Sequence, residues 1–195
     1  TVDGDAADLL PEEVAKAAEI KVALPVDVGS LLEAGGVSSP DQVKDVKVSG
    51  LALGWDANTL TFDAPVLDVY IGPSVDEADL IDAAALIARD DFEKVGTIGV
   101  DNNEENEGFD VGQVAGTTGD VPLSFIDGGN EKFNEFLKTF SFTLVAAAPA
   151  GQTLTLKEVP GTDPVKVAKP DGKATLKLKA ELVYTVDLGG LFGLF

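Results

Sequence analysis

The sequence contains no histidine, no cysteine and no methionine, and these absences exclude several kinds of active site. Without histidine the chain has no Ser-His-Asp or Cys-His catalytic arrangement and no imidazole metal site. Without cysteine it has no disulfide framework. Arg89 is the only arginine, so bidentate recognition of phosphate or carboxylate is nearly absent. With 34 acidic residues, a pair of carboxylates at glycosidase spacing would arise by chance. The sequence therefore predicts a protein that is not an enzyme.

Basic charge is also scarce. The net charge of −20 repels the phosphates of nucleic acid and of anionic lipid, which predicts no nucleic-acid partner. No apolar run approaches the roughly 20 residues that a membrane helix needs, so no membrane span is expected. Residues 151–195 hold six lysines and five acids, a net of +1, so residues 1–150 carry −21. This asymmetry is typical of ordinary surface solubility or of electrostatic attraction between copies of the chain.

The start of the chain and its missing residue types suggest a compartment. The first residue is Thr1 and not methionine, which we interpret as the result of removing a leader peptide. Secreted eukaryotic domains are commonly disulfide-bonded, so the lack of cysteine favours a prokaryotic source. We expect an extracellular or cell-surface protein.

The clearest periodic pattern lies between residues 175 and 188. Successive strand residues point to opposite faces, and here one parity is apolar while the other is polar except at Val183. The apolar positions are Leu176, Leu178, Ala180, Leu182, Tyr184, Val186 and Leu188. The usual strand has about 5–6 residues. So long a strand is expected either to bend between two sheets near Val183 or to serve a neighbouring copy with its far end.

Shorter alternating segments predict the remaining strands. They lie at residues 20–28, 44–55, 59–71, 92–100, 109–114, 120–126, 140–146, 153–157 and 165–167. Pro25 donates no ladder hydrogen bond, so its strand belongs at a sheet edge or contains a bulge. A bulge is also predicted at residues 49–50, and a tight turn at residues 56–59 is expected to form a hairpin. Helices are predicted at residues 11–19, 74–89 and 131–139, with single turns at 31–32 and 39–42.

These elements predict one domain over residues 1–195, with an N-terminal extension at 1–10 and an apolar C-terminal tail at 189–195. The fold class is mainly β, an antiparallel two-sheet β-sandwich of jelly-roll or immunoglobulin-like type. Two or three short helices are inserted in its loops. A closed barrel is the alternative, but its strands would be more even in length.

Calcium is the one cofactor for which the sequence offers donors. Calcium takes six to eight oxygen ligands, and the loop at 101–110 is rich in carboxylate and amide oxygens. The spacing is not that of an EF-hand, because the glycine at 108 falls too late. The alternatives are a solvated loop and a calcium site. The candidate metal ligands are Asp101, Asn103, Glu105, Glu107 and Asp110.

The segment after the long strand suggests self-association. Its large apolar side chains need a dry site, either on their own domain or in a groove of another copy. The residues assigned to self-association are Leu188, Leu191, Phe192, Leu194 and Phe195. The preferred hypothesis is a structural subunit of an extracellular or cell-surface filament, with copies of itself joined head-to-tail as partners. The alternative is a non-enzymatic binding module or adhesin for carbohydrate or protein, with Trp55 as a stacking platform. A partly buried core position is the other interpretation of Trp55.

Overall fold

A computed structural model describes residues 21–34, 36–37, 39–58, 66–98, 120–149, 161 and 174–186. In these ranges the chain forms seven strands and three α-helices. The strands are β1 (Lys21–Asp27), β2 (Val43–Asn58), β3 (Leu67–Pro73), β4 (Glu93–Ile98), β5 (Asp120–Phe125), β6 (Ser141–Ala147) and β7 (Ala174–Val186). The helices are α1 (Gly29–Ala34), α2 (Ala83–Ile87) and α3 (Gly129–Leu137), with short 3-10 turns at Pro40–Gln42 and Asp79–Ile81.

The strands belong to a single antiparallel sheet with the order β1-β6-β3-β4-β5-β2-β7. Its longest ladder joins β2 to β7 and runs from Val43 opposite Val186 to Asn58 opposite Ala174. The sheet therefore begins at β1 and ends at β7, and each of these has a neighbour on one side only among the described strands.

The sheet is curled, so that its two ends approach each other. Val26 of β1 packs in the same cluster as Leu182 and Tyr184 of β7, although the two strands stand at opposite ends of the order. Val28, Val37 and Phe140 form the buried centre of that cluster. A sheet whose end strands share one cluster has the shape of a half-barrel, as the right-handed twist of strands favours.

Helix α3 fills the concave side of the sheet. Its buried residues Phe133 and Leu137 lie four apart and therefore on one helix face. The ring of Phe133 stands edge-on to those of Phe125 and Phe142, at centroid distances of 6.0 and 5.7 Å. Such edge-to-face pairs stabilise a core beyond the area they bury.

The start of α3 depends on glycine. Gly128 is the N-cap and has a φ of 75°, in the left-handed region that glycine adopts most easily. At the next position a Cβ on Gly129 would collide with the carbonyl oxygen of Val95. This close approach fixes the helix against β4. The other side of the sheet is covered by α2, whose Ala83 and Leu86 pack with Phe92 and Val145.

The structure confirms a mainly β, antiparallel protein with short helices in its loops. The described strands form one curled sheet in place of two separate packed sheets. The bulge predicted at residues 49–50 is confirmed by a register shift between Val48 and Gly50. Near this bulge the Val48 N–H donates to Oδ1 of Asn134 in α3, at 3.3 Å.

Two sequence predictions are wrong in this part of the chain. Among the described residues β3 is not the hairpin partner of β2, because β2 pairs with β5 and β7 while β3 pairs with β4 and β6. The turn signal at residues 56–58 instead lies within β2, which shows a register shift between Trp55 and Ala57. The helix predicted from residue 74 begins later: Asp82 is the N-cap of α2, and its Oδ1 accepts from the Ala85 N–H at 3.0 Å.

Several predicted elements lie outside the described residues. These are the extension at 1–10, the helix at 11–19, the strands at 109–114, 153–157 and 165–167, and the tail at 189–195.

Candidate functional site

The residues predicted to bind calcium lie outside the described residues. Within the described ranges, no group of three or more carboxylate side chains is close enough to hold a metal ion. Calcium binding by the 101–110 loop stays a prediction. A thermal melting curve that is the same in EDTA and in calcium would contradict it.

The five residues assigned to self-association also lie outside the described residues. The structure does describe the strand that precedes them as far as Val186. It also places Trp55 on β2, with Leu176 of β7 as its register partner. Its use as a carbohydrate platform stays a prediction.

Strand β7 forms one end of the sheet and is unusually regular. It has 13 residues and contains neither proline nor glycine, and it pairs with the 16-residue β2 over its whole length. This partner accounts for the length of β7 within its own sheet. The length of the strand therefore does not by itself require a second copy.

The middle of β7 lies at the molecular surface. Lys179, Ala180 and Glu181 are exposed one after another, although successive residues point to opposite faces of the strand. Val183 is 57% exposed and is the apolar exception on the polar face. The edge of a sheet carries unpaired N–H and C=O groups and can template pairing with another strand.

Strand β1 forms the other end of the sheet, and its outer edge is interrupted by Pro25. The Val28 N–H donates to the carbonyl oxygen of Phe140 at 2.8 Å, and the regular register continues from this pair into β1 and β6. Hydrogen-bonded and non-hydrogen-bonded pairs alternate in an antiparallel ladder. Pro25 opposite Thr143 is therefore a non-hydrogen-bonded pair, and the proline nitrogen faces away from β6. The predicted edge position of this strand is confirmed within the described sheet.

Between the two ends of the sheet lies a buried hydroxyl. Tyr184 packs against the cluster of Val28, Val37 and Phe140, and its hydroxyl has no hydrogen-bond partner among the residues described. Burial raises the pKa of Tyr184, because the phenolate would lose its hydration there. The ring of Tyr184 therefore packs as an apolar side chain, while its hydroxyl oxygen is buried without a hydrogen-bond partner among the described residues.

No family model, no curated protein and no solved structure matches this chain. None of the helices in the described part of the chain is both long and apolar enough to cross a membrane.

The sequence predicted self-association for the segment beyond β7 and, as one alternative, for the far end of the long strand, but not for the outer edge at the centre of β7. The alternating pattern identified the strand, but only the strand order places it at the end of the sheet. One signal was available in the sequence: Lys179 and Glu181 stand symmetrically on either side of Ala180, with opposite charges.

Proposed function

We propose that this chain is a structural subunit of an extracellular or cell-surface filament that assembles from copies of itself. One observation carries the proposal. The described sheet is open, and it ends on the long, surface-exposed strand β7, which leads directly toward the apolar residues 188–195.

Burial of apolar surface supplies the driving force in this proposal. Each of Leu191, Phe192, Leu194 and Phe195 gains roughly 1.5–3 kcal/mol when its side chain leaves water completely. A groove or open sheet of a neighbouring copy offers such a site, and an added strand there also satisfies backbone groups. The glycines at 189 and 190 permit a change of chain direction between β7 and these residues.

The charge distribution supports a head-to-tail arrangement. Residues 1–150 carry a net charge of −21, while residues 151–195 carry +1. Contacts between the near-neutral, lysine-rich part of one copy and the acidic part of the next avoid most like-charge repulsion. Repetition of such a heterologous contact produces a filament unless rotation closes it into a ring. The two-sheet sandwich expected for the whole domain stays a proposal as well; the described strands form one curled sheet.

Deletion of residues 191–195 tests the function. Negative-stain electron microscopy of the full chain should show filaments, and the deletion should remove them while circular dichroism and the melting temperature stay close to those of the full chain. Deletion of residues 1–10 is the matched control, because it also shortens the chain at one end and should leave filaments intact.

Two results would contradict the proposal. One is filaments that persist unchanged without residues 191–195. The other is a full chain that never polymerises at any concentration. If that unassembled chain also bound a glycan array through Trp55, the alternative of a binding module would replace the filament.

A further inference from the structure

We propose that two copies of the chain form a two-fold symmetric dimer by antiparallel pairing of β7 with β7, centred on Ala180. The inference goes beyond the proposed function, because it defines a contact, a register and a symmetry that do not involve residues 188–195. It holds for a free dimer and for a dimer within a filament alike.

The two described sheet ends differ in their ability to accept a further strand. The outer edge of β1 lacks a donor in its middle, because the nitrogen of Pro25 faces outward. Strand β7 contains no proline, so each residue whose backbone faces the outer edge has an N–H to offer, and residues 179–181 at its centre are exposed. Of the two described sheet ends, β7 is therefore the one suited to strand addition.

The position of Ala180 in β7 sets the register of such a dimer. In two-fold pairing centred on Ala180, a residue that lies a given number of positions before Ala180 faces the residue that lies the same number after it in the second copy. Since Ala180 is the middle of the 13 residues, the two strands then overlap completely, with Ala174 facing Val186. At the axis two small Ala180 side chains face each other, and the next apolar pair on that face is Leu178 with Leu182.

The charged side chains beside Ala180 favour the same register. In this register Lys179 faces Glu181 of the second copy, and the symmetry axis repeats the pair on its other side. Opposite charges directly across a ladder stabilise the pairing, and like charges destabilise it. A shift by two residues in either direction would set Lys179 against itself or Glu181 against itself. The charges therefore select the register that also gives complete overlap.

Lys179 and Glu181 also take part in interactions within the chain. A single charge reversal could therefore change the subunit as well as the dimer. The test is designed around complementation between two variants, which only a contact between copies can produce.

The variants are K179E and E181K. K179E sets two carboxylates against each other on both sides of the axis, and E181K does the same with two ammonium groups. Each variant alone should dimerise more weakly than the full chain by on the order of tenfold to hundredfold. An equimolar mixture of the two should form a heterodimer, because every facing pair then has opposite charges. The double variant K179E/E181K should recover the dimer for the same reason.

Sedimentation velocity measures the dissociation constants at concentrations below any polymerisation, and native mass spectrometry identifies the heterodimer. K138E is the matched control: it changes the net charge as K179E does, but at the exposed C-terminal end of α3, and should leave dimerisation unchanged.

The proposal is overturned if the full chain is monomeric up to millimolar concentration, as it would be if its own residues covered the edge. It is also overturned if the single variants dimerise as well as the full chain, or if their mixture gives no heterodimer. Loss of filaments on deleting residues 191–195, with the dimer retained, would separate this contact from the one proposed for the filament.

Discussion

Pro25 on β1 lies directly opposite Thr143 on β6, and the Thr143 hydroxyl is completely buried there without a hydrogen-bond partner among the described residues. On its other side Thr143 faces Gly72 of β3, so neither register partner offers a polar side chain. The ring of Phe92 lies over Gly72, since a Cβ at that glycine would be 2.6 Å from it. The hydroxyl therefore sits in apolar surroundings.

We expect Thr143→Val to stabilise the fold by about 1 kcal/mol, because it removes a buried polar atom and keeps the branched shape. Urea unfolding measures the free energy. Thr139→Val is the control: the Thr139 hydroxyl lies within hydrogen-bond distance of the carbonyl oxygens of Phe136 (2.7 Å) and Ser141 (2.9 Å) and donates its one proton to either, so its loss should cost about 0.5–1.5 kcal/mol. If both variants lose stability, the Thr143 hydroxyl is hydrogen-bonded in solution and the prediction is wrong.

The buried hydroxyl of Tyr184 predicts a pH dependence of stability. Burial raises the pKa of Tyr184 above its ordinary value of 10.0. Between the ordinary pKa and the raised one, the folded state holds a proton that the unfolded state has lost, so the free energy of unfolding falls as pH rises. The contribution is complete below pH 10.0 and disappears through the folded pKa.

Tyr184→Phe should flatten this part of the stability curve, measured by urea unfolding at a series of alkaline pH values. Tyr70→Phe removes the only other tyrosine, so the ultraviolet absorbance of tyrosinate then follows Tyr184 alone. A tyrosinate transition in the folded Y70F chain at the same pH as in urea would contradict the prediction.

Gly129 should be intolerant of a side chain. A Cβ there would meet the carbonyl oxygen of Val95, which also accepts from the Ile126 N–H at 3.1 Å. Gly129→Ala is expected to destabilise the protein by about 1–3 kcal/mol, since α3 must move away from the sheet and loosen the packing of Phe133. The exposed neighbour Glu131→Ala should cost only a few tenths of a kcal/mol. Equal melting temperatures for G129A and E131A would show that the helix adapts without cost.

The elements that sequence reasoning located correctly are those with local causes. Alternation alone identified β1, β6 and β7, and the missing donor of Pro25 identified an edge strand. Strand partners have no local cause: β2 pairs with β7, whose residues follow more than 100 positions later, and the turn signal near Asn58 did not reveal this. The helix predicted at residues 131–139 begins earlier, with Gly128 as its N-cap, because contact with Val95 decides where it starts.

The candidate site could likewise be predicted only in part from the sequence. The pattern of Lys179 and Glu181 can be read from the sequence, but its meaning depends on β7 being the last strand of the described sheet. Strand order is set by contacts between distant residues, so periodicity cannot supply it. The dimer could therefore be inferred only from the strand order and the sequence together.

At the other end of the described sheet, Pro25 keeps the outer edge of β1 from accepting a strand. Pro25→Val places a donor at the outward-facing nitrogen and keeps a side chain suited to a strand. The hydrogen bonds between β1 and β6 are unaffected by this substitution, because Pro25 opposite Thr143 is a non-hydrogen-bonded pair. We therefore expect unchanged or slightly higher stability, together with concentration-dependent association beyond the dimer. Light scattering detects this association, and the double variant P25V/K179E should show whether it needs the β7 contact.

The control places a proline at the preceding position. Leu24→Pro should remove a ladder hydrogen bond to Leu144 and destabilise the fold by about 3 kcal/mol or more. If P25V is as strongly destabilised as L24P, the nitrogen of residue 25 faces β6 and the assignment of the outer edge is wrong.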